Sequence, residues 1–373
     1  MYTRRYAMTC GVTIRAIATR VPTISVSNFD ETWFPDIDKQ SKLAWQEKWG
    51  IEQRFYTDHL RHSPMTLACD AAREAMNLAK VSSHDIDLLI TSSTNAMQLA
   101  ENTQCGLPEN VFYPRNSYAT KRLLGLENAM EFDIQNECSS MMDAMQIGHN
   151  AIKTGQAKQV LLIVQESTYE VMDRTNVNGM NFGDGYAAIV LSHDDDPTLG
   201  IQSQAYQSFS KNYDLATVSW DKQVNTPSHM SFQMAETGAS EMGKFVPKYL
   251  PKLVKRALAK AQLSNADIDF YVFHQPARKL IDAWCALLDV PHEKTLKIMQ
   301  QYGCAVSAAM PIAFNLALQQ QLIPENGKII IASPSVGWGF GAQVWQLGEL
   351  PKCAPEIHQT VLETCNHTKK DVL

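Results

Sequence analysis

Two stretches of this chain repeat one pattern of apolar and polar positions. From Ala71 the sequence reads AAREAMNLAKVSSHDIDLLI, and from Val254 it reads VKRALAKAQLSNADIDFYV. Shifted by 182 residues, Ala75 falls on Ala257, Ala79 on Ala261, Ser82 on Ser264, and Asp85-Ile86-Asp87 on Asp267-Ile268-Asp269. Each copy predicts a helix with apolar residues at helical spacing, a polar turn, then a short apolar strand. The shift is close to half the chain, so the pattern predicts an internal duplication.

A second helix–turn–strand unit follows in each half. Met141, Met145 and Ile152 mark a helix over 139–154, Gly155 stops it, and 160–164 reads as a strand. In the other half, 308–321 reads as helix, Pro324 and Gly327 break it, and 329–331 reads as strand. These strands are continuously apolar rather than alternating, as expected when both faces are covered. The pattern predicts a layered α/β fold with two sheets around shared helices. Residues 203–240 are polar with weak periodicity and read as a surface excursion between the halves. The stretch from Pro351 to Leu373 reads as a short added helix or a frayed tail.

Composition narrows the function. The chain has 373 residues, 45% of them hydrophobic and 19% charged, which excludes general disorder. A formal net charge of −6 gives no basic surface for nucleic acid. No stretch reaches the roughly 20 apolar residues of a membrane helix. The basic start, Met1 to Arg5, lacks a signal peptide's apolar core. A soluble cytoplasmic protein is the expectation. None of the eight cysteines forms a CxxC pair, which speaks against a zinc site.

Cys138 stands between a short strand and the helix over 139–154. A thiol there feels the positive end of the helix, which favours thiolate, and a strand-to-helix turn exposes the side chain. A buried structural cysteine is the alternative, and position alone does not separate the two. His274 ends the repeated strand of the second half, where open α/β folds place their sites. Cysteine with histidine is a common nucleophile–base pairing, although a lone histidine is more often structural. The segment Gly337-Trp338-Gly339-Phe340-Gly341 lacks both GxGxxG and a following Lys-Ser/Thr, so a nucleotide reading is poor. Close backbone approach to a reacting group is the other use of such glycines. Gly183-Asp184-Gly185 reads as a turn.

With these residues in order, the chain resembles the thiolase superfamily, and within it ketoacyl synthase III, from about residue 10 to 348. Trp49-Gly50-Ile51-Glu52-Gln53-Arg54 resembles the TGIxxR segment, and Phe132-Asp133-Ile134 through Cys138-Ser139 the nucleophile segment. Phe182-Gly183-Asp184-Gly185 resembles FGDGA, His274-Gln275-Pro276 resembles HQA, and Tyr302-Gly303 through Pro311 resembles YGNTSAASIP. Gly337 to Gly341 resembles the closing glycine-rich turn. The resemblance implies a duplicated α-β-α-β-α sandwich with two mixed sheets, divided as 1–198 with the nucleophile and 199–373 with the histidine. It implies a homodimer and no resident cofactor, the CoA or acyl-carrier-protein phosphopantetheine being only the carrier of the substrate. Cys138 would take an acyl group from that thioester, the backbone N–H groups of Cys138 and Val336 would form the oxyanion hole, and His274 would assist the second half-reaction. Tyr113, Gly337 and Phe340 fall at positions that line the substrate pocket.

The departures are as informative. The family triad is Cys-His-Asn, yet thirty residues after His274 stands Cys304. The family's His and Asn together stabilise the enolate formed when malonyl thioester loses CO₂, and a thiol is a weak donor. Standard decarboxylative condensation is therefore in question, while acylation of Cys138 is not. Branches with altered triads pass the acyl group to an alcohol, an amine or a preformed carbon nucleophile, often in secondary metabolism, with the histidine as base. Cys304 itself is read as a tolerated small residue, a site retuned for another acceptor or, least favoured, a redox partner of Cys138. Glu137 replaces a small residue just before the nucleophile and is expected to face away. Trp45 stands one place off the family's stacking tryptophan, and Lys48 replaces an arginine. Arg115, Lys121 and Arg122 are candidate carrier-protein contacts or a solvated face. The alternatives are an impaired partner subunit in a heterodimer with a homologue, and a thioester hydrolase or thiolase on the same fold.

Overall fold

The computed structural model describes residues 10–94, 114–169, 171–220 and 230–353. Tyr113, Cys105, Cys365 and the tail beyond residue 353 lie outside the described residues. The first part of the chain runs β1 (Gly11–Arg20), β2 (Ile24–Ser27), α1 (Lys39–Trp49), β3 (Gln53–Tyr56), α2 (Pro64–Ala79) and β4 (Leu88–Ser92). It continues with α3 (Asn116–Leu124), β5 (Met130–Ile134), α4 (Ser140–Lys153), β6 (Gln159–Glu166) and β7 (Gly185–Asp194). The second part runs β8 (Gly200–Ser208), β9 (Ala216–Trp220), β10 (Met230–Met234), α5 (Gly238–Ala261), β11 (Phe270–Phe273) and α6 (Arg278–Leu288). It ends with α7 (Met299–Tyr302), α8 (Ala309–Gln319), β12 (Lys328–Ser335), β13 (Gly339–Gln346) and β14 (Lys352–Cys353).

One sheet has the order β14-β1-β7-β6-β4-β5 and the other β11-β12-β13-β8. Both are mixed: β4 pairs parallel with β5 and β6 but β7 runs antiparallel, and β11 pairs parallel with β12 but β13 runs antiparallel. The strand series β4, β6, β7, β1 is therefore repeated as β11, β12, β13, β8. Even the outer strand β5 has a trace, an isolated parallel bridge from Tyr271 to Thr295.

The side chains alternate between layers. From β6, Val160, Leu162 and Val164 face a central cluster with Met141, Met145 and Ile152 of α4 and Ile312 and Leu316 of α8. Ile329 and Ile331 of β12 enter that cluster from the opposite sheet. Leu161 and Ile163 face outward onto α2. Ile330 and Ala332 face outward onto α5 and α6. Every position of β6 and β12 after the first is thus buried, which is why these strands carry no polar alternation. The result is five layers, α-β-α-β-α. Among the described residues, no helix is long and apolar enough to cross a membrane.

The repeated Ser…Asp-Ile-Asp has a physical cause in both copies. Ser82 and Asp85 form a reciprocal capping box, with the Ser82 N–H donating to Asp85 at 2.7 Å. Ser264 and Asp267 do the same at 2.8 Å. The last aspartate ties the incoming strand to its neighbour. Asp87 accepts from the N–H groups of Lys158 and Gln159, and Asp269 from that of Lys328. The aspartates thus fix how each helix enters its strand and where the next strand starts.

One expectation fails. Residues 203–240 are not a surface excursion. They begin with β8, a full edge strand of the second sheet. They continue into the antiparallel β9–β10 hairpin, which lines the cavity described below.

Where the chain passes from β7 to β8, Gly200 takes φ +103, and a Cβ there would sit 2.7 Å from His149 Nε2. That nitrogen accepts the Ile201 N–H at 3.1 Å. Burial holds the His149 imidazole neutral, its pKa lowered to about 4. A depressed folded pKa means the stability is whole above pH 6.5 and is lost as pH falls through 4. The unfolding free energy from urea titrations should drop across this window, by up to about 1.4 kcal/mol per pH unit. The His149→Gln variant should show a shallower drop; equal slopes in the two proteins would remove His149 from the account.

Candidate active site

Three of the sequence segments meet at one buried side chain. Arg54 is 0% exposed, and its guanidinium donates to the carbonyls of Val26 and Met180 and to the Asn28 side chain. Gly183 and Gly303 both press on it: a Cβ on either would lie 2.8 Å from Arg54 Cβ. Above it the two segments cross. Phe182 bridges Cys304, the Gly183 N–H donates to the Cys304 carbonyl at 3.2 Å, and the Cys304 N–H donates to the Asn181 carbonyl at 2.8 Å. Asp184 is more than a turn residue. Its buried carboxylate accepts from the N–H and hydroxyl of both Thr57 and Thr168, between 2.7 and 3.1 Å. This seam fixes Cys304 to the first sheet's loops.

The nucleophile turn is held from the other side. Cys138 lies in a single 3₁₀ turn, Glu137–Ser139, between β5 and α4. The Ser333 hydroxyl of β12 donates to the Cys138 carbonyl at 3.1 Å, and that of Ser335 to the Asn136 carbonyl at 2.9 Å. The Val336 N–H points at the Cys138 thiol. His274, at the end of β11, is hung on Ala332 of β12 through its own N–H at 3.0 Å. Its Nε2 lies 3.7 Å from Cys304 Sγ.

Cys138, His274, Cys304, Val336, Gly337 and Phe340 all line one cavity of about 610 Å³. The remaining wall is mostly apolar: Phe182, Val218, Phe232, Met234, Met242 and Leu280 among others. Val218, Phe232 and Met234 come from the β9–β10 hairpin. Phe182 and Phe232 meet edge to face at 5.2 Å.

The electrostatics follow from burial. Desolvation lowers the His274 pKa to about 3, and its Nδ1 has no hydrogen-bond partner among the described residues, so the ring is neutral. The Cys304 thiol is pushed up to about 12 by the same cause. Cys138 runs against the helix-end expectation. Its pKa is raised well above the ordinary thiol value, first by burial, then by Cys304, Glu166 and Glu137, with the Val336 N–H opposing. The thiol at rest is protonated, because desolvation outweighs the macrodipole of one helix end. Glu137 also departs from expectation. Its backbone has φ +42, the residue lines the cavity, and its carboxylate bonds Ser335, which lines the cavity too.

A family model described as 3-oxoacyl-[acyl-carrier-protein (ACP)] synthase III matches residues 132–209, and its C-terminal counterpart matches 258–347. The 2-heptyl-4(1H)-quinolone synthase subunit PqsC of Pseudomonas aeruginosa is 30% identical over 353 residues, covering 92% of this chain and 99% of that protein. The chain belongs to the ketoacyl synthase III family. A β-ketoacyl-[acyl-carrier-protein] synthase III of Clostridium perfringens is 27% identical over 318 residues, covering 83% of this chain and 93% of the relative. In structure, the priming β-ketosynthase of the R1128 polyketide pathway superposes with a TM-score of 0.79 at 22% identity, covering 94% of this chain and all of that one. The fold is that of the thiolase superfamily, and the chain is a ketoacyl synthase III-like acyltransferase of the condensing type.

Sequence reasoning missed one buried acid of this ketoacyl synthase III-like chain. Glu166, at the end of β6, is 0% exposed and accepts from the Ser307 hydroxyl and the Thr94 N–H. Burial lifts its pKa to about 7. A charged residue closing the run VLLIVQE was its signal. Trp45 does not line the cavity; it donates from Nε1 to Asn181 at 2.8 Å, with the Lys48 ammonium 5.3 Å from its ring. Trp49, one helical turn later, does line it. Lys121 is paired with Glu131, and Arg115 lines a separate polar hollow of about 280 Å³.

Proposed function

We propose that Cys138 takes an acyl group from a CoA or acyl-carrier-protein thioester and passes it to a second substrate. The carrying observation is that Cys138, His274 and the Val336 N–H share one cavity while a thiol, Cys304, stands where the family has asparagine. In this reading the N–H groups of Cys138 and Val336 hold the tetrahedral oxyanion. His274, neutral, accepts a proton from the acceptor, which is an alcohol, an amine or a preformed carbon nucleophile. Gly337 lets the backbone approach, and Phe340 bounds the pocket. Transfer is by C–C condensation or by O- or N-acylation, in fatty-acid-like or secondary-metabolite synthesis. No resident cofactor takes part, and the protein works in the cytoplasm.

The relative PqsC is named as a synthase subunit. That name supports work within an assembly of more than one chain, a homodimer or a heterodimer with a homologue. It does not favour an inert subunit, because Cys138 and His274 are kept and meet the cavity.

The test is intact-protein mass spectrometry after mixing with acyl-CoA and acyl-carrier-protein donors from two to sixteen carbons. A mass gain that maps to the Cys138 peptide is expected. No gain with any donor, alone or with a co-purified homologue, would sink the reading.

A further inference from the structure

Resting on that reading, we propose that Glu137 is a catalytic residue, the proton carrier of the acyl-loading half-reaction. Three observations place it there. Glu137 and Cys138 are neighbours in one 3₁₀ turn, and both line the same cavity. Glu137 sits at φ +42, a strained conformation for a residue with a side chain, and the turn holding it is anchored from β12 by Ser333 and Ser335. The other cavity-lining base is engaged elsewhere: His274 Nε2 faces Cys304, and its Nδ1 is buried.

The surroundings match this task. Among the described residues lining the cavity, Glu137 is the one carboxylate, and no lysine or arginine accompanies it. No cation therefore holds its proton affinity down. Burial raises it instead, with contact to Ser335 opposing. Cys138 is protonated at rest and must lose a proton to attack. A carboxylate raised by burial accepts such a proton better than an ordinary one does.

The step balances. Cys138 sulfur attacks the donor thioester carbonyl, and the S–C bond forms as the thiol proton passes to the Glu137 carboxylate. The carbonyl re-forms and the C–S bond to the carrier breaks. The departing thiolate takes the proton back from Glu137. The acyl group stays on Cys138, and Glu137 is an anion again. His274 is left for the acceptor step.

The experiment compares E137Q with wild type in two reactions of Cys138. One is loading from acetyl-, octanoyl- and palmitoyl-CoA, timed by quenched intact mass. The other is alkylation by iodoacetamide, which involves no thioester leaving group. Loading should be at least about 10²-fold slower in E137Q. Alkylation should slow by less than loading, because it needs the thiol proton removed but none returned to a departing thiolate, and the loss of a negative charge beside the thiol partly offsets the loss of the base. E137D should recover part of the loading rate. Loading as fast as wild type in E137Q makes Glu137 a bystander charge and overturns the proposal. Loading and alkylation slowed alike, without recovery in E137D, overturns it too, since the residue then only shapes the turn. A wild type that loads from none of these donors, nor from any in the wider panel, overturns the acyl-enzyme reading itself.

Discussion

Cys138→Ala should give no acyl adduct with any donor, and turnover should fall by roughly 10⁴-fold or more, the scale of removing a covalent nucleophile. The prediction is this large because no other described thiol can stand in. Cys304 lines the cavity, but it is 4% exposed, its thiol is pushed up to about 12, and it faces His274 rather than the Val336 N–H. The Val336 N–H is aimed at Cys138 alone of the two, so a tetrahedral adduct on Cys304 would lack that donor. Alanine removes little volume and leaves the hydrogen bond of Ser333 to the residue's carbonyl intact. The fold should therefore survive, and intact mass with and without donor reads the loss directly. An adduct persisting in Cys138→Ala would move the nucleophile elsewhere.

Cys304→Asn should raise decarboxylation of malonyl thioester by about 10²–10³-fold, the weight of one hydrogen-bond donor aimed at developing negative charge. In the structure Cys304 Sγ and His274 Nε2 already stand side by side at 3.7 Å on the cavity wall. An amide at that position supplies an N–H where the thiol supplies a poor donor. The backbone of residue 304 is fixed by the bonds to Asn181 and Gly183, so the new side chain starts from the same place. Release of CO₂ from malonyl-CoA, before and after the change, is the measurement. A variant that binds malonyl thioester but releases CO₂ no faster would show that the missing asparagine is not what limits this chemistry.

Much of this was legible because the relevant signals are local. The Ser…Asp-Ile-Asp repeat marks a cap and a strand hook, both built from residues near in sequence. Cys138 and His274 were legible from strand ends, and the place of Cys304 beside them from the resemblance to ketoacyl synthase III. Three features needed the third dimension. The β9–β10 stretch does alternate, with Ala216, Val218 and Trp220 in one strand and Met230, Phe232 and Met234 in the other, but each run is only five residues long and is lost in the polar chain of 203–240 read as a whole, and Val218, Phe232 and Met234 line a cavity. Glu137 lines the cavity because it belongs to a 3₁₀ turn with positive φ; strand alternation does not apply to it. The Cys138 thiol is held protonated by burial and, after it, by the charges of Cys304 and Glu166, which the sequence places far from it. Tyr113 lies outside the described residues.

The seam at Arg54 governs how relatives can be recombined. A chimera joined near residue 198 would take Arg54, Asn181 and Gly183 from one parent and Gly303 and Cys304 from the other. Asn181 and Gly183 bond Cys304 backbone to backbone, and Gly183 and Gly303 press on the Arg54 side chain where any Cβ would collide. The exchangeable unit is therefore discontinuous: three short segments, far apart in the chain, that travel together or not at all. A crossover that respects this can swap the β9–β10 hairpin, and with it part of the cavity wall, while leaving the seam untouched.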